Sequence, residues 1–263
     1  MRRLVHLAPL SLALLLAACG DGEPLLPPDA VLPDGGRYRG DVIDGLLQGH
    51  GRIDYSDGSY YEGQFKDGQY DGHGQWFSEQ GERYEGEFQG GNFHGQGSLV
   101  YSDGSHYQGN FANGTPNGEG HLKRGEMEYR GEFSKSLYSG LGKLQWRNGA
   151  SFQGQFKKGE PHGQGVLIDV EGNEFSGAFE QGQLNGQGSF KSQSGDLYSG
   201  EFRNQQFHGK GRYQSADGEV WSGRFVDGAL TGKGEFKSAD GTHYLGQFSD
   251  WSYHGEGRLS LAD

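Results

Sequence analysis

Cysteine occurs once, at Cys19, and proline only 7 times in 263 residues. A single cysteine excludes an intramolecular disulfide framework, even in an oxidising compartment. Hydrophobic residues make up only 32% of the chain, and aromatics alone account for 13%. A compact domain of this length normally carries an aliphatic core of Leu, Ile and Val. The apolar content here rests on Phe and Tyr, which points to a thin, repetitive structure with little interior. No basic run is longer than Lys157-Lys158, and the formal net charge is −12. Phosphate neutralisation dominates nucleic-acid affinity, so nucleic acid is excluded as a partner. The same reasoning disfavours docking of the bulk of the chain on an anionic lipid surface. Glycine, by contrast, is abundant, with 51 residues. It follows no G-X-Y period, so collagen is excluded, and the aromatics exclude a disordered chain.

The N-terminus reads MRRLVHLAPLSLALLLAAC. Arg2 and Arg3 form a charged start, Leu4 to Leu16 an apolar segment too short to span a bilayer, and Ala17 and Ala18 a small-residue cleavage site. Leu16-Ala17-Ala18-Cys19 resembles the bacterial lipobox, which implies a signal peptide over residues 1–18 and lipidation of Cys19 by acyl chains such as palmitate. Two or more chains anchor stably where one does not. The resemblance further implies sorting to the periplasmic face of the outer membrane, because Gly20 rather than Asp follows the cysteine; Asp21 leaves the inner membrane or the cell surface as lesser alternatives. Loss of Arg2 and Arg3 takes the net charge two lower, to −14. Residues 19–37 comprise the acylated cysteine and a stretch with Pro24, Pro27, Pro28 and Pro33 that reads as an extended tether; residues 20–37 would reach at most about 55 Å at ~3.1 Å per residue.

From Tyr38 to the end the sequence repeats every 23 residues, with one unit of 22. The units begin at Tyr38, Tyr61, Tyr84, Tyr107, Tyr129, Phe152, Phe175, Tyr198, Trp221 and Tyr244. Position three is always Gly (Gly40, Gly63 and onward), and position five is Phe in nine units and Val42 in the first. Positions twelve and fourteen are always Gly, as in Gly163-Gln164-Gly165, and position sixteen is apolar, as in Trp76, Leu99 and Leu259. A period in this range signals a stacked array.

Within Tyr84-Glu85-Gly86-Glu87-Phe88 the side chains alternate at period two, the mark of a strand. Gly95 to Tyr101 alternates likewise, and Asp-Gly and Asn-Gly pairs between such segments supply the positive φ of tight turns. Three fixed glycines per unit exclude helix, at a cost of about 1 kcal/mol each. Glycine in a strand marks close approach of another group, so each glycine column is expected to lie under the rings of the Tyr and Phe columns.

The pattern Y-x-G-x-F-(x)6-G-x-G-x-[apolar], with Asp-Gly near its end, resembles the MORN repeat; Tyr61 to Arg83 and Tyr84 to His106 match it well. The resemblance covers residues 38–263. It implies an all-β fold, an elongated, twisted antiparallel sheet of about ten stacked β-hairpins, acting in assembly or membrane association. About twenty strands at ~4.8 Å would extend roughly 95 Å.

No motif for chemistry stands out: HExxH, GxxxxGK[ST] and G-x-S-x-G are all missing. His94, His162, His208 and His254 recur at position eleven. None lie in adjacent units, and units are ~9.6 Å apart, whereas zinc holds its ligands at ~2.1 Å; no metal site and no cofactor are expected, and no enzyme. Positions two, four, thirteen and fifteen should face solvent. Leu141 and Val166 break that rule in adjacent units, with Ile168 two residues on, just after the 22-residue unit Tyr107–Glu128. Such an apolar cluster is a candidate partner site. In the last unit Trp251 replaces a turn glycine beside Tyr253; the two either fold back as a cap or present a docking site. Open sheet ends also allow a homodimer. These features describe a lipid-anchored, non-enzymatic scaffold or adaptor of the bacterial envelope that binds an unidentified envelope protein. The alternative is a module binding an envelope glycan or lipid, which would need exposed rows of rings.

Overall fold

The computed structural model describes residues 29–262. The signal segment 1–18, Cys19 and the tether as far as residue 28 lie outside the described residues. The chain divides into two units, Met1–Leu137 and Tyr138–Asp263. Among the described residues both are built of antiparallel hairpins without a helix.

The first unit runs β1 (Asp29–Val31), β2 (Arg37–Ile43), β3 (Leu46–Asp54), β4 (Tyr60–Lys66), β5 (Gln69–Phe77), β6 (Arg83–Gln89), β7 (Asn92–Val100), β8 (His106–Ala112), β9 (Thr115–Arg124) and β10 (Met127–Ser134). Each strand pairs antiparallel with the next in sequence. The second unit follows the same order with β11 (Leu137–Trp146), β12 (Ser151–Lys157), β13 (Glu160–Ile168), β14 (Glu174–Glu180), β15 (Gln183–Lys191), β16 (Leu197–Arg203), β17 (Gln206–Gln214), β18 (Val220–Val226), β19 (Ala229–Lys237), β20 (His243–Ser249) and β21 (Ser252–Ser260).

Two-residue turns close the hairpins. Asp67 and Gly68 have φ of 51° and 79°, Asn113 and Gly114 of 49° and 78°. Positive φ at both central residues matches the right-handed twist of the flanking strands. The second turn residue also ties each repeat to the one before it: Gly68 N–H donates to the Leu47 carbonyl at 3.0 Å, and Gly91 N–H to that of Tyr70 at 2.9 Å.

One face of the sheet carries the rings. Tyr61 is fully buried; its ring stacks on Tyr70 at 3.7 Å and meets Phe65 and Phe88 edge-on at 5.1 and 5.0 Å. Each such ring is thus held between the Phe of its own repeat and that of the next, in geometries that favour aromatic pairs. Its hydroxyl donates to the backbone three residues on, Tyr61 to the Gln64 carbonyl at 2.7 Å. Position ten, which supplies Tyr70, Phe93, Leu184, Phe207 and Leu230, is a core column that the sequence reading overlooked.

The glycines divide by cause. At position fourteen the ring reason holds: a β-carbon on Gly51 or Gly74 would stand 2.6 Å from the Tyr38 or Tyr61 ring. At position twelve it does not. All ten of these glycines have positive φ, as at Gly49 (64°), Gly163 (63°) and Gly255 (60°). They accompany the register shift that bends each hairpin, as between Gly63 and Phe65. The expectation that Gly163 lies under a ring is therefore corrected; Phe152 lies over Gly165 instead. In the seventh and ninth repeats the first ring turns toward position sixteen, Phe175 to Phe190 and Trp221 to Phe236, each at 4.9 Å. Leu184 and Leu230 take the space beside the glycines there.

Residues 29–37, expected as the end of a tether over residues 19–37, belong instead to the array. Asp29–Val31 pairs with β2, matching Ala30 to Tyr38, and Ala30 and Leu32 are each only 4% exposed. Leu32 N–H reaches the Gly36 carbonyl at 2.8 Å, as Tyr55 N–H reaches that of Ser59 at 2.9 Å. Pro33-Asp34-Gly35-Gly36 is the closing turn of a half repeat, which the prolines at positions 24, 27, 28 and 33 hid in the sequence.

Candidate partner-binding surface

Alternation along each strand leaves a second face, opposite the rings and largely polar. In the second unit Lys143, Gln153, Val166 and Ser176 form one register row across it, and Leu141 pairs with Gln155 in the next. Leu141 is 64% exposed and Ile168 36%, while Val166 is half-buried. Val166 and Ile168 share a strand and a face. Leu141 and Val166 do not touch, because β12 lies between them, with Gln153 and Gln155 in the gap. Two strand spacings and a two-residue offset put them about 12 Å apart. The expected contact between them is corrected accordingly: adjacency in repeat number is not adjacency in strand. Val170, in the closing turn after β13, is 58% exposed and extends the apolar group beyond Ile168.

Trp251 and Tyr253 turn toward their own array. Trp251 occupies the second place of a two-residue turn, with φ of 65°, and its ring meets Tyr213 at 5.1 Å, Phe225 at 5.4 Å and Trp221 at 5.9 Å. Tyr253 stacks on Tyr244 at 4.0 Å and remains 47% exposed. Of the two alternatives open in the sequence, packing back on the repeats describes the Trp251 geometry.

Charge on the outer faces is arranged in exposed clusters. In the first unit Arg52 bonds Asp54 at 2.7 Å and Glu62 at 2.8 Å. It also lies 4.2 Å over the Tyr60 ring, which stacks on Phe77 at 5.6 Å, with Arg83 5.5 Å over Phe77. This layered patch escaped the sequence reading; its signal was an aromatic pair at the ends of β4 and β5, just outside the ring columns. Arg130 and then His121 hold the Glu128 carboxyl below its ordinary range. In the second unit Lys237, then His243, do the same to Glu235, each 2.8 Å away. Pairs this exposed are screened by solvent, so they tune the surface more than they hold the fold.

The position-eleven histidines stand in separate repeats. His94 and His208 serve through their carbonyls, which accept from Tyr84 at 3.3 Å and Tyr198 at 3.2 Å. Among the described residues no three His, Cys, Asp or Glu side chains gather where a metal ion could sit.

The MORN repeat family model matches residues 38–60, 61–83, 84–106, 107–125, 129–151, 152–174, 175–197, 198–220 and 221–243. The chain belongs to the MORN repeat family. A tenth MORN hairpin follows beyond the matched residues: β20 and β21 pair Tyr244 with Leu259 and Gly246 with Gly257, the register of the units before them. No curated protein matches the chain. Among solved structures, this MORN array is similar to the TCP10 domain of Danio rerio CPAP in complex with a peptide of Danio rerio STIL. Identity is 15%, the TM-score 0.43, and the match covers 89% of this chain and 96% of that one. The SAS-4 TCP domain of Drosophila melanogaster, in complex with a proline-rich motif of Ana2, matches at 10% identity and a TM-score of 0.31, over 86% of this chain and 99% of that one. At such TM-scores neither is a guide to partner or activity.

Proposed function

We propose that this MORN protein is a non-enzymatic adaptor of a bacterial envelope, held by lipid at Cys19 on the periplasmic face of the outer membrane and binding a protein partner. The observation that carries the reading is a division of labour between the faces. Rings and glycines are consumed in holding one hairpin to the next, with Tyr61, Tyr107, Tyr129 and Phe152 fully buried. The opposite face varies from repeat to repeat and carries the exposed apolar residues Leu141 and Ile168 with the half-buried Val166. Burial of the ring columns also weighs against a glycan module, which would need rows of open rings. An apolar group on a chain this polar is the kind of surface that partners cover.

Two experiments test the reading separately. A photo-crosslinking residue at Ile168 should trap a discrete envelope protein, and the same residue at Lys233, exposed on the same face but on β19, six strands from β13, should trap much less. Equal labelling at both places would sink the surface assignment. For the anchor, Cys19→Ala should abolish globomycin-sensitive processing and membrane partitioning; wild-type protein in the soluble fraction would refute it.

A further inference from the structure

The closing turns of the first unit carry bulky side chains at position eighteen: Leu32, Tyr55 and Tyr101. In the second repeat that place is held by Ser78, which is 5% exposed and accepts a hydrogen bond from Glu82 N–H at 3.0 Å. A serine fills far less volume than the tyrosines before and after it. Beside it lies a cavity of about 380 Å³, lined by Tyr55, Tyr70 and Trp76 together with Asp34, Asp57 and Glu79. That volume falls within the ~300–1,000 Å³ typical of small-molecule sites.

The chemistry of the lining is specific. Tyr70 is buried, and its hydroxyl lies 3.1 Å from that of Tyr55. Burial raises both phenols' pKa values, Tyr70 the more, and the charges of Asp34 and Asp57 add to the effect at Tyr55, so both remain neutral. Asp34, Asp57 and Glu79 are exposed and line the solvent side of the cavity. Their hydrogen bonds come from neutral donors: Gly36 N–H to Asp34, Ser59 N–H to Asp57, and the Gln80 amide to Glu79. None of the three forms an ion pair among the described residues. No Lys, Arg or His lines the cavity. The result is a ring-walled pocket with three uncompensated negative charges.

We propose that this cavity binds an alkylammonium cation of about the size of choline. Ring faces attract a cation whose methyl groups they can also cover, and the attraction grows when water is displaced. Carboxylates at the mouth supply the balancing charge. A hard metal cation is a poor occupant, because it demands a shell of six or more oxygens rather than rings. The site lies in the first unit and owes nothing to the surface proposed on the second.

Calorimetric titration of the full chain with choline chloride tests this. Saturable binding is expected, with 3,3-dimethylbutan-1-ol, the neutral isostere, about tenfold weaker or worse. Ser78→Tyr, which installs the ring found in the turns on either side, should abolish the heat while the chain stays folded. Asp34→Asn with Asp57→Asn should weaken choline binding about tenfold, since the amides keep the turns but lose the charge. Phosphocholine separates the sources: weaker binding supports a free amine, equal binding a lipid headgroup. The proposal is overturned if choline gives no saturable heat, if the neutral isostere binds as well, or if a folded Ser78→Tyr chain binds choline as the wild type does. Should Ser78→Tyr fail to fold, the double Asp→Asn chain decides, because both carboxylates are exposed and lie outside the core.

Discussion

Tyr61 closes over Gly74 across its hairpin, so that a β-carbon at Gly74 would stand 2.6 Å from the ring. Two adjacent columns of the repeat are therefore one device, the ring and the gap it fills. Gly74→Ala should lower stability by about 1–3 kcal/mol through overpacking. Gln75→Ala, one residue on and exposed on the opposite face, should cost less than about 0.5 kcal/mol. Thermal or urea unfolding of the two variants checks this, and equal midpoints would contradict the ring-over-glycine packing.

Gly163 fails for a different reason and should respond to different substitutions. Its φ is 63°, and a β-carbon there would meet the flexible end of the Gln155 side chain. Gly163→Asn should be mild, because Asn tolerates the left-handed region, whereas Gly163→Val should cost about 1–2 kcal/mol or more. If both variants melt together, backbone conformation is not what requires glycine at this position.

Alkali should unfold the array. Burial, with the Asp41 charge second, pushes the Tyr38 phenol up to about 12, and burial pushes that of Tyr198 up to about 12 as well. A raised folded pKa means that the contribution is fully present below the unfolded value of about 10 and is lost as pH rises from there through about 12. Tyr198→Phe removes the hydroxyl that donates to the Glu201 carbonyl at 3.0 Å. It should cost about 0.5–1.5 kcal/mol at neutral pH and flatten the alkaline decline; Phe152 stands at the same place in its own repeat. Circular dichroism against pH for the two chains reads both effects, and parallel curves above pH 10 would refute the tyrosine origin.

Trp251 should behave as part of the packing. Its ring contacts with Tyr213, Trp221 and Phe225 are lost in Trp251→Ala. A fully buried Trp→Ala costs about 3–5 kcal/mol, and this half-exposed ring should cost roughly 2 kcal/mol. An unchanged melting midpoint with lost partner capture would reverse the assignment and return Trp251 to a docking role.

The strand-turn-strand unit was legible in the residues because its causes are local. Period-two alternation in Tyr84–Phe88, with turn pairs such as Asp67-Gly68 and Asn113-Gly114, dictates hairpins whatever surrounds them. Antiparallel order follows, since short turns allow nothing else. The ring columns at positions one and five were equally plain, because stacking identical hairpins repeats each contact. What the sequence did not reveal are facts about neighbours in space. Position ten reads as a mixture of Leu, Tyr, Phe and Pro, and only pairing across the hairpin brings Tyr70 onto Tyr61. Asp29–Val31 sits among prolines and becomes a strand because β2 offers an unpaired edge. Leu141 and Val166 are one repeat apart in number but two strands apart in the sheet. Gly163 and Gly165 look alike in sequence, yet one answers to backbone φ and the other to a ring. Ser78 is an unremarkable turn residue until the rings of Tyr55, Tyr70 and Trp76 surround the space beside it. Local chemistry determined the element; register and packing, which join residues many positions apart, decided which side chains meet.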